Sequence, residues 1–214
     1  MYKQEKEQVA YFMRRLYRQF LTTTSGGNIS CRLPDGNILI TASQSDKCEL
    51  AAEHVGVVTP DGRSLTPDLK LSIESGLHLA IYRARPETGA IIHAHPTTAS
   101  FFCAADEEIN IRLTAEAYAI LGKIVKIPYA LMGTEELAQN TATGMRNCDC
   151  GLLENHGVIT IGKNLLAAFD KMELLENAAR QTLMSHSIKT HSLNAAQLRE
   201  LDHFMGRDEN NENK

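Results

Sequence analysis

Apolar residues near the N-terminus recur every three or four positions. Val9, Met13, Leu16 and Phe20 follow this spacing, while Lys, Arg and Gln occupy the remaining positions. Because an α-helix brings such positions to one face, the pattern predicts an amphipathic opening helix. The small residues of segment 22–27 end it in a Thr/Ser/Gly loop.

Short apolar or β-branched runs separated by turn residues follow, and they predict strands at 28–33, 38–41, 55–59, 90–93, 123–127, 151–154 and 158–161. Helices are predicted between them at 66–85, at 114–121, after Thr134 and after Asn164. The helix at 66–85 has a hydroxyl cap, Thr66, followed by proline at the first helical position. Strands and helices mix without strict alternation, which indicates a single α/β or α+β domain.

Composition narrows the class of protein. The chain has 214 residues, 43% hydrophobic and 22% charged, with a net charge of −4. These values are typical of a globular protein and disfavour nucleic acid or an anionic membrane as the main partner. Without a membrane-length apolar run or a signal-peptide core, we expect a cytoplasmic protein. We expect residues 1–206 to form one domain and the polar segment 207–214 to be disordered.

The cysteines do not suggest a disulfide framework. There are five, an odd number, in a chain that is not small. Cys148 and Cys150 form the only close pair, and no second pair stands at a metal-binding spacing. Free thiols are therefore expected.

Two histidines end a predicted strand at His93-Ala94-His95. If the strand continues through them, both imidazoles point to one face, where they can chelate a divalent metal such as zinc. His156, in a turn before Gly157, offers a third imidazole. Each motif read alone is more typical of polar residues at a strand end or in a turn than of a metal ligand. Together they match catalytic zinc, which keeps three protein ligands and an open position.

Glu74 is an acid in an apolar part of the predicted helix, near Leu71 and Leu77. A buried carboxylate requires a partner. One possibility is His78, one helical turn away. The other is a carboxylate that faces the metal and moves a proton.

Two loops of small residues, Ser25 to Asn28 and Thr41 to Gln44, offer backbone N–H groups and hydroxyls. Such loops can bind phosphate without a basic side chain, although most Gly/Ser/Asn clusters are plain turns.

Taken in order, these motifs resemble the class II aldolase/adducin family over nearly the whole chain, from about Val9 to Met184. The matching segments are Gly27-Asn28-Ile29-Ser30, Ile40-Thr41-Ala42-Ser43, Leu71-Ser72-Ile73-Glu74 with His78, His93-Ala94-His95-Pro96, Pro128-Tyr129, Gly133-Thr134-Glu135-Glu136-Leu137 and Leu153-Glu154-Asn155-His156-Gly157. Ala42, Gln44 and Ile73 depart from the family pattern in the phosphate loops, whereas the metal-binding residues are kept.

The resemblance implies a three-layer αβα fold, with a mainly antiparallel sheet between helices, and a homotetramer with active sites at subunit interfaces. It implies zinc on His93, His95 and His156, with Glu74 as the acid/base and as a ligand when substrate is absent. It also implies that a sugar phosphate is bound through Ser25, Gly27, Asn28, Ser43 and Ser72. A tyrosine of the neighbouring subunit assists related aldolases, and Tyr118 is the substitute suggested here.

The activity implied first is cleavage of a ketose 1-phosphate, of the L-fuculose 1-phosphate type. The products are dihydroxyacetone phosphate and a small aldehyde, formed through a metal-stabilised enediolate. A pentulose-5-phosphate 4-epimerase and a methylthioribulose-1-phosphate dehydratase are alternatives on the same scaffold. A non-catalytic, adducin-like binding module is a further alternative, which predicts the loss of metal ligands.

Overall fold

A mixed seven-stranded sheet forms the centre of the protein. The computed structural model describes residues 1–207. The strands are β1 (Asn28–Arg32), β2 (Ile38–Thr41), β3 (Val55–Val58), β4 (Ala90–Ala94), β5 (Ile124–Ile127), β6 (Cys150–Leu153) and β7 (Gly157–Gly162). Their order in the sheet is β3-β2-β1-β4-β7-β6-β5. Among the strands of residues 1–207, β5 and β6 alone pair in parallel, so the mainly antiparallel sheet that the family resemblance implies is confirmed.

Helices cover both faces of this sheet, as expected for the three-layer αβα fold. They are α1 (Lys3–Arg18), α2 (Ser75–Ala84), α3 (Thr97–Ala104), α4 (Ala115–Leu121), α5 (Glu135–Gly144), α6 (Leu165–Ser185) and α7 (Ala195–Phe204). Short 3-10 turns lie at Ala52–His54, Ile111–Leu113 and Met145–Asn147. In β4, Ile92 packs in a core with α1, α3, α4 and α6, whereas Ile91 packs in a second core with α2 and α5. The two-residue period of the strand produces this division.

Side-chain caps explain the helix starts that the sequence predicts correctly. Thr114, Thr134 and Asn164 each accept a hydrogen bond from the backbone N–H three residues further on. Each cap satisfies an N–H that has no partner within the helix.

The predicted helix start at Thr66 is wrong, because α2 begins at Ser75. The Thr66 hydroxyl accepts a hydrogen bond from Val57 N at 3.0 Å and is therefore engaged with β3. Leu71 forms a bridge with Ala42, and a Cβ at Gly56 would lie 2.2 Å from the Leu71 side chain. The segment before α2 thus lies along the sheet, and Glu74 takes the N-cap position of α2.

Two helices, α3 and α7, were not predicted. Helix α3 follows Pro96, which provides no side-chain cap. Its N-terminus is instead capped by the buried carboxylate of Glu176 from α6, which accepts from Thr98 N and Ala99 N at 2.8 to 3.1 Å. A cap supplied from so far along the chain leaves no local sequence signal.

The predicted disordered tail lies outside the described residues except for Arg207, whose backbone N–H donates to Asp202 O at 2.7 Å. All five cysteines are free thiols. No helix within residues 1–207 has the length and apolar composition needed to cross a membrane.

Candidate active site

His93 is held in one tautomer at the centre of the sheet. It lies in β4, is fully buried, and its Nδ1–H donates to Val158 O of β7 at 3.0 Å. The lone pair of neutral His93 is therefore on Nε2. This Nε2 is buried and has no hydrogen-bond partner among residues 1–207. A buried ring nitrogen without a partner is costly unless a ligand such as a metal ion occupies it.

His95 lies just beyond the end of β4, between two glycines. Its backbone N–H donates to Leu21 O at 3.1 Å. A Cβ at position 26 would lie 2.7 Å from His95 Nδ1, and one at position 157 would lie 2.3 Å from His95 Cδ2. Glycine at both positions leaves the space that the imidazole fills.

His156 comes from the turn between β6 and β7. Asn155 adopts the left-handed conformation, with φ of 52°, and His156 N donates to Leu153 O at 3.1 Å. Asn tolerates this conformation better than most residues. The tight turn brings the His156 ring centroid to 4.8 Å from that of His93 and 5.6 Å from that of His95.

The three histidines therefore converge, as the sequence predicted. Their ligand atoms lie within 4.8 Å of one another. Burial lowers the pKa of His93 well below its usual value, and burial followed by the proximity of His156 lowers the pKa of His95. Neutral imidazole is the form that binds a divalent metal. The partnerless Nε2 of His93 and this donor set fit such an ion.

Glu74 closes one side of the cluster. Its side chain is buried, with Oε2 3.4 Å from His93 Nε2 and Oε1 3.3 Å from His156 Nε2. As the N-cap residue of α2 it makes no side-chain cap hydrogen bond, so the carboxylate is directed at the histidines. Glu74 Oε1 has no hydrogen-bond partner within the described residues.

A buried chain of hydrogen bonds leads to Glu74. Asn28 Nδ2 donates to Glu74 Oε2 at 2.7 Å, so Asn28 Oδ1 accepts from His78 Nε2–H at 2.5 Å. Burial lowers the pKa of His78 to about 3, and the neutral ring accepts from Ser30 Oγ–H at 2.6 Å through Nδ1. Tyr82 OH then donates to Ser30 Oγ at 2.9 Å. Every group thus donates toward the carboxylate, which fixes its orientation.

Residues 7–183 match the family of class II aldolase and adducin N-terminal domains. The chain belongs to this family. It is 35% identical to the L-fuculose phosphate aldolase of Methanocaldococcus jannaschii, over 86% of this chain and 99% of that protein. It is 31% identical to the 3-oxo-tetronate 4-phosphate decarboxylase of Haemophilus influenzae, over 92% of this chain and 96% of that protein.

A solved structure is also similar to this chain over most of its length. YgbL of Escherichia coli, described as a putative aldolase/epimerase/decarboxylase, superimposes with a TM-score of 0.87 at 28% identity, covering 93% of this chain and 98% of that one. The relatives therefore include proteins with different named reactions on one scaffold.

The residues predicted for phosphate binding occupy three neighbouring segments. Ser43 N donates to Lys70 O at 2.9 Å and Ser72 N donates to Thr41 O at 3.3 Å, so these two serine segments adjoin. Ser25 is exposed in the loop after α1, and Gly27 has a φ of 73°.

Asn28 differs from the others in this predicted set. It is buried, and both side-chain polar atoms are bonded within the chain that leads to Glu74. In this conformation Asn28 orients the carboxylate of Glu74, the residue predicted to be the acid.

Tyr118 lies away from the histidine cluster of its own chain. Its hydroxyl donates to Asp202 Oδ2 of α7 at 2.8 Å. A part for Tyr118 in the site of a neighbouring subunit stays a prediction.

Ser30 and Tyr82 were not predicted as part of the site, and His78 was predicted only as a possible direct partner of Glu74. Glu74, His78 and Tyr82 are spaced by four, so they follow one face of α2. Ser30, two residues from Asn28 on β1, points to the same sheet face. The spacing of four between the polar residues of α2, and of two between those of β1, could have identified these residues from the sequence.

Proposed function

We propose that this protein is a metal-dependent lyase that breaks a carbon–carbon bond near the carbonyl group of a small sugar phosphate or phosphorylated sugar acid. The observation that carries the proposal is the partnerless His93 Nε2, buried among three converging imidazoles with the Glu74 carboxylate 3.4 Å away. Loss of these ligands, expected for a non-catalytic module, is not found.

His93, His95 and His156 would hold the metal. Three imidazoles suit zinc and leave a coordination position open for substrate. When bound, such an ion acts as a Lewis acid that withdraws charge from a substrate oxygen.

Glu74 is the proposed acid/base. Asn28 holds Oε2, while Oε1 has no partner and is free to carry a proton. Cleavage of the bond leaves an electron pair on the carbon beside the carbonyl group. A proton delivered from Glu74 Oε1 to that carbon completes the product.

The first candidate reaction is aldol cleavage of a ketose 1-phosphate of the L-fuculose 1-phosphate type. Support comes from the Methanocaldococcus relative, named L-fuculose phosphate aldolase and 35% identical to this chain. As the bond breaks, the hydroxyl group on the departing carbon loses its proton to a base and becomes the carbonyl group of the aldehyde, while Glu74 gives a proton to the other fragment. The products would be dihydroxyacetone phosphate and a small aldehyde.

The second candidate is decarboxylation of a phosphorylated 3-oxo acid. Its support is the Haemophilus relative, named 3-oxo-tetronate 4-phosphate decarboxylase and 31% identical. Both reactions leave an electron pair beside a carbonyl group and need the same proton from Glu74. They differ in the departing fragment, which is an aldehyde in one and carbon dioxide in the other.

We further propose a homotetramer whose active sites lie at subunit interfaces. Ile73, next to Glu74, is 57% exposed, and Leu131 and Met132 are 60% and 54% exposed. A Cβ at Gly133 would lie 3.7 Å from Ile73 Cβ, so these apolar side chains belong to adjoining segments. An exposed apolar surface beside the acid favours cover by a second subunit.

Metal analysis and two assays test the proposal. Protein purified without chelator is analysed for zinc, with the expectation of about one ion per chain. It is then given L-fuculose 1-phosphate and 3-oxo-tetronate 4-phosphate in separate reactions. Dihydroxyacetone phosphate is detected by a coupled NADH assay, and carbon dioxide by a coupled carboxylase assay.

Dihydroxyacetone phosphate supports the aldolase, and carbon dioxide supports the decarboxylase. Conversion of sugar phosphates to isomers without any fragments would contradict a lyase and favour an epimerase. Protein that binds no divalent metal would contradict the whole proposal.

A further inference from the structure

Lys47 is a buried lysine that has no counterion in the described part of the chain. Its side chain is 1% exposed, and Nζ donates to Ala42 O at 3.2 Å and to Ser45 Oγ at 3.0 Å. Among residues 1–207, no carboxylate lies within ion-pair distance of this ammonium group. Both hydrogen bonds of Lys47 Nζ therefore go to uncharged oxygen atoms.

Lys47 contacts both of the predicted phosphate loops. Its backbone N–H donates to Thr24 O at 2.9 Å, in the loop that carries Ser25. Its ammonium group holds Ala42 and Ser45, which flank Ser43 in the second loop. Ala42 also forms a bridge with Leu71, next to Ser72, so the third serine segment adjoins the loop that Lys47 holds.

A buried charge of this kind is costly unless an anion compensates it. Burial lowers the pKa of Lys47 to about 8, so most of the population remains protonated at neutral pH. Two neutral oxygens offset part of the lost hydration, but they supply no negative charge. The loops thus hold a positive charge that favours the arrival of an anion at their surface.

We propose that Lys47 is the buried positive charge that selects substrates with a phosphate group, by attracting the phosphate to the loops bearing Ser25, Ser43 and Ser72. This inference rests on the proposed function, in which the substrate is phosphorylated. Phosphate is the fitting anion because it carries nearly two charges near neutral pH, and N–H groups and hydroxyls satisfy its oxygens. Lys47 is a positioning residue that acts through the loop.

Two substitutions distinguish the effect of the Lys47 charge from the effect of its side-chain packing. Lys47→Met removes the charge and keeps most of the side-chain length. Lys47→Gln also removes the charge but keeps a donor toward Ala42 and Ser45, which serves if the Met variant does not fold. Lys189→Met removes the same charge from an exposed lysine between α6 and α7 and is the matched control.

The experiment measures binding of inorganic phosphate to metal-loaded protein by calorimetry. It also measures kcat and KM for a phosphorylated substrate and for its unphosphorylated counterpart. We expect both Lys47 variants to weaken phosphate binding and raise the KM of the phosphorylated substrate by about tenfold or more, with a much smaller change in kcat. The unphosphorylated substrate should react as it does with the wild type, and Lys189→Met should change neither value.

Phosphate affinity equal in wild type and both Lys47 variants would overturn the inference. Equal loss of activity toward phosphorylated and unphosphorylated substrates would overturn it as well, because it would indicate damage to the fold. Failure of the proposed function looks different. In that case the wild type binds phosphate through Lys47 but releases neither aldehyde nor carbon dioxide from any sugar phosphate.

Discussion

Asn28 stands directly opposite His93 in the pairing of β1 with β4, and its side-chain amide donates to Glu74 Oε2 at 2.7 Å. Asn28 therefore fixes the position of Glu74, the proposed acid, relative to His93, a proposed metal ligand. The sheet register sets this relation, since cross-strand partners share one face.

Asn28→Ala should reduce turnover while leaving the metal bound. The substitution removes the donor to Glu74 and leaves His78 Nε2–H without an acceptor. We expect a loss of about 1 to 3 kcal/mol in the free energy of unfolding, the usual cost of an unsatisfied buried group. We expect kcat to fall on the order of tenfold or more, because a misplaced acid loses its geometry.

Metal analysis, chemical denaturation and steady-state kinetics check this expectation. Tyr82→Phe is the control at the far end of the same chain, where one hydroxyl is removed and Glu74 keeps its donor. Zinc loss in Asn28→Ala comparable to the loss of turnover would show that Asn28 supports the ligands rather than the acid.

Glu74→Gln should keep the fold and the three histidines but lose proton transfer. A positioned acid/base contributes roughly a hundredfold to ten-thousandfold to rate, so we expect kcat to fall within that range. The measurement is kcat at saturating substrate, together with zinc content. A rate within a few-fold of wild type would remove Glu74 from the mechanism.

His156→Ala should weaken metal binding, because two imidazoles hold zinc far less well than three. We expect the zinc dissociation constant to rise by about a hundredfold or more. Competition with a chromophoric chelator provides the measurement. His191→Ala, which removes an exposed histidine outside the cluster, is the matched control. Full zinc occupancy of His156→Ala at submicromolar free metal would contradict the ligand assignment.

Gly157→Ala should displace the His95 ring. The added Cβ would lie 2.3 Å from His95 Cδ2 and 2.8 Å from Ala94 O, distances that require movement. We expect a loss of about 1 to 3 kcal/mol in stability from overpacking, together with weaker zinc binding. Gly76→Ala is the control, because a Cβ there meets no atom within 4 Å and alanine favours the helix. Equal stability and zinc affinity in the two variants would show that the turn adapts.

Lys47 should make stability rise with pH on the alkaline side. Its pKa is about 8 in the folded protein against the ordinary value of 10.5, because burial disfavours the charged form. Between these two values the unfolded chain binds more protons than the folded one, so stability increases with pH in that window. One pKa unit corresponds to about 1.4 kcal/mol, and this residue therefore contributes at most about 3 kcal/mol.

The measurement is the difference in free energy of unfolding between wild type and Lys47→Met from pH 7 to pH 11. Wild type should gain stability relative to the variant as pH rises through about 8, the folded-state value. Parallel pH profiles would show that Lys47 has an ordinary pKa in the folded protein.

Much of the fold follows from local patterns. The apolar spacing around Val9 and Met13 predicts α1, and the capping residue Thr134 predicts the start of α5. These signals are readable because the responsible atoms lie within a few residues of one another. The helix predicted at Thr66 is absent for the opposite reason: Val57, nine residues away in β3, donates to the hydroxyl that would have capped it.

The sequence by itself determined which residues form the histidine cluster and the proposed acid beside it, because His93, His95, His156 and Glu74 stand in ordered motifs. Only the tertiary structure decided how they are supported. It placed Asn28 against Glu74, set His95 between two glycines and buried Lys47 between two loops. Hydrogen-bond partners and burial depend on strand register and on packing between distant segments, so no local pattern records them.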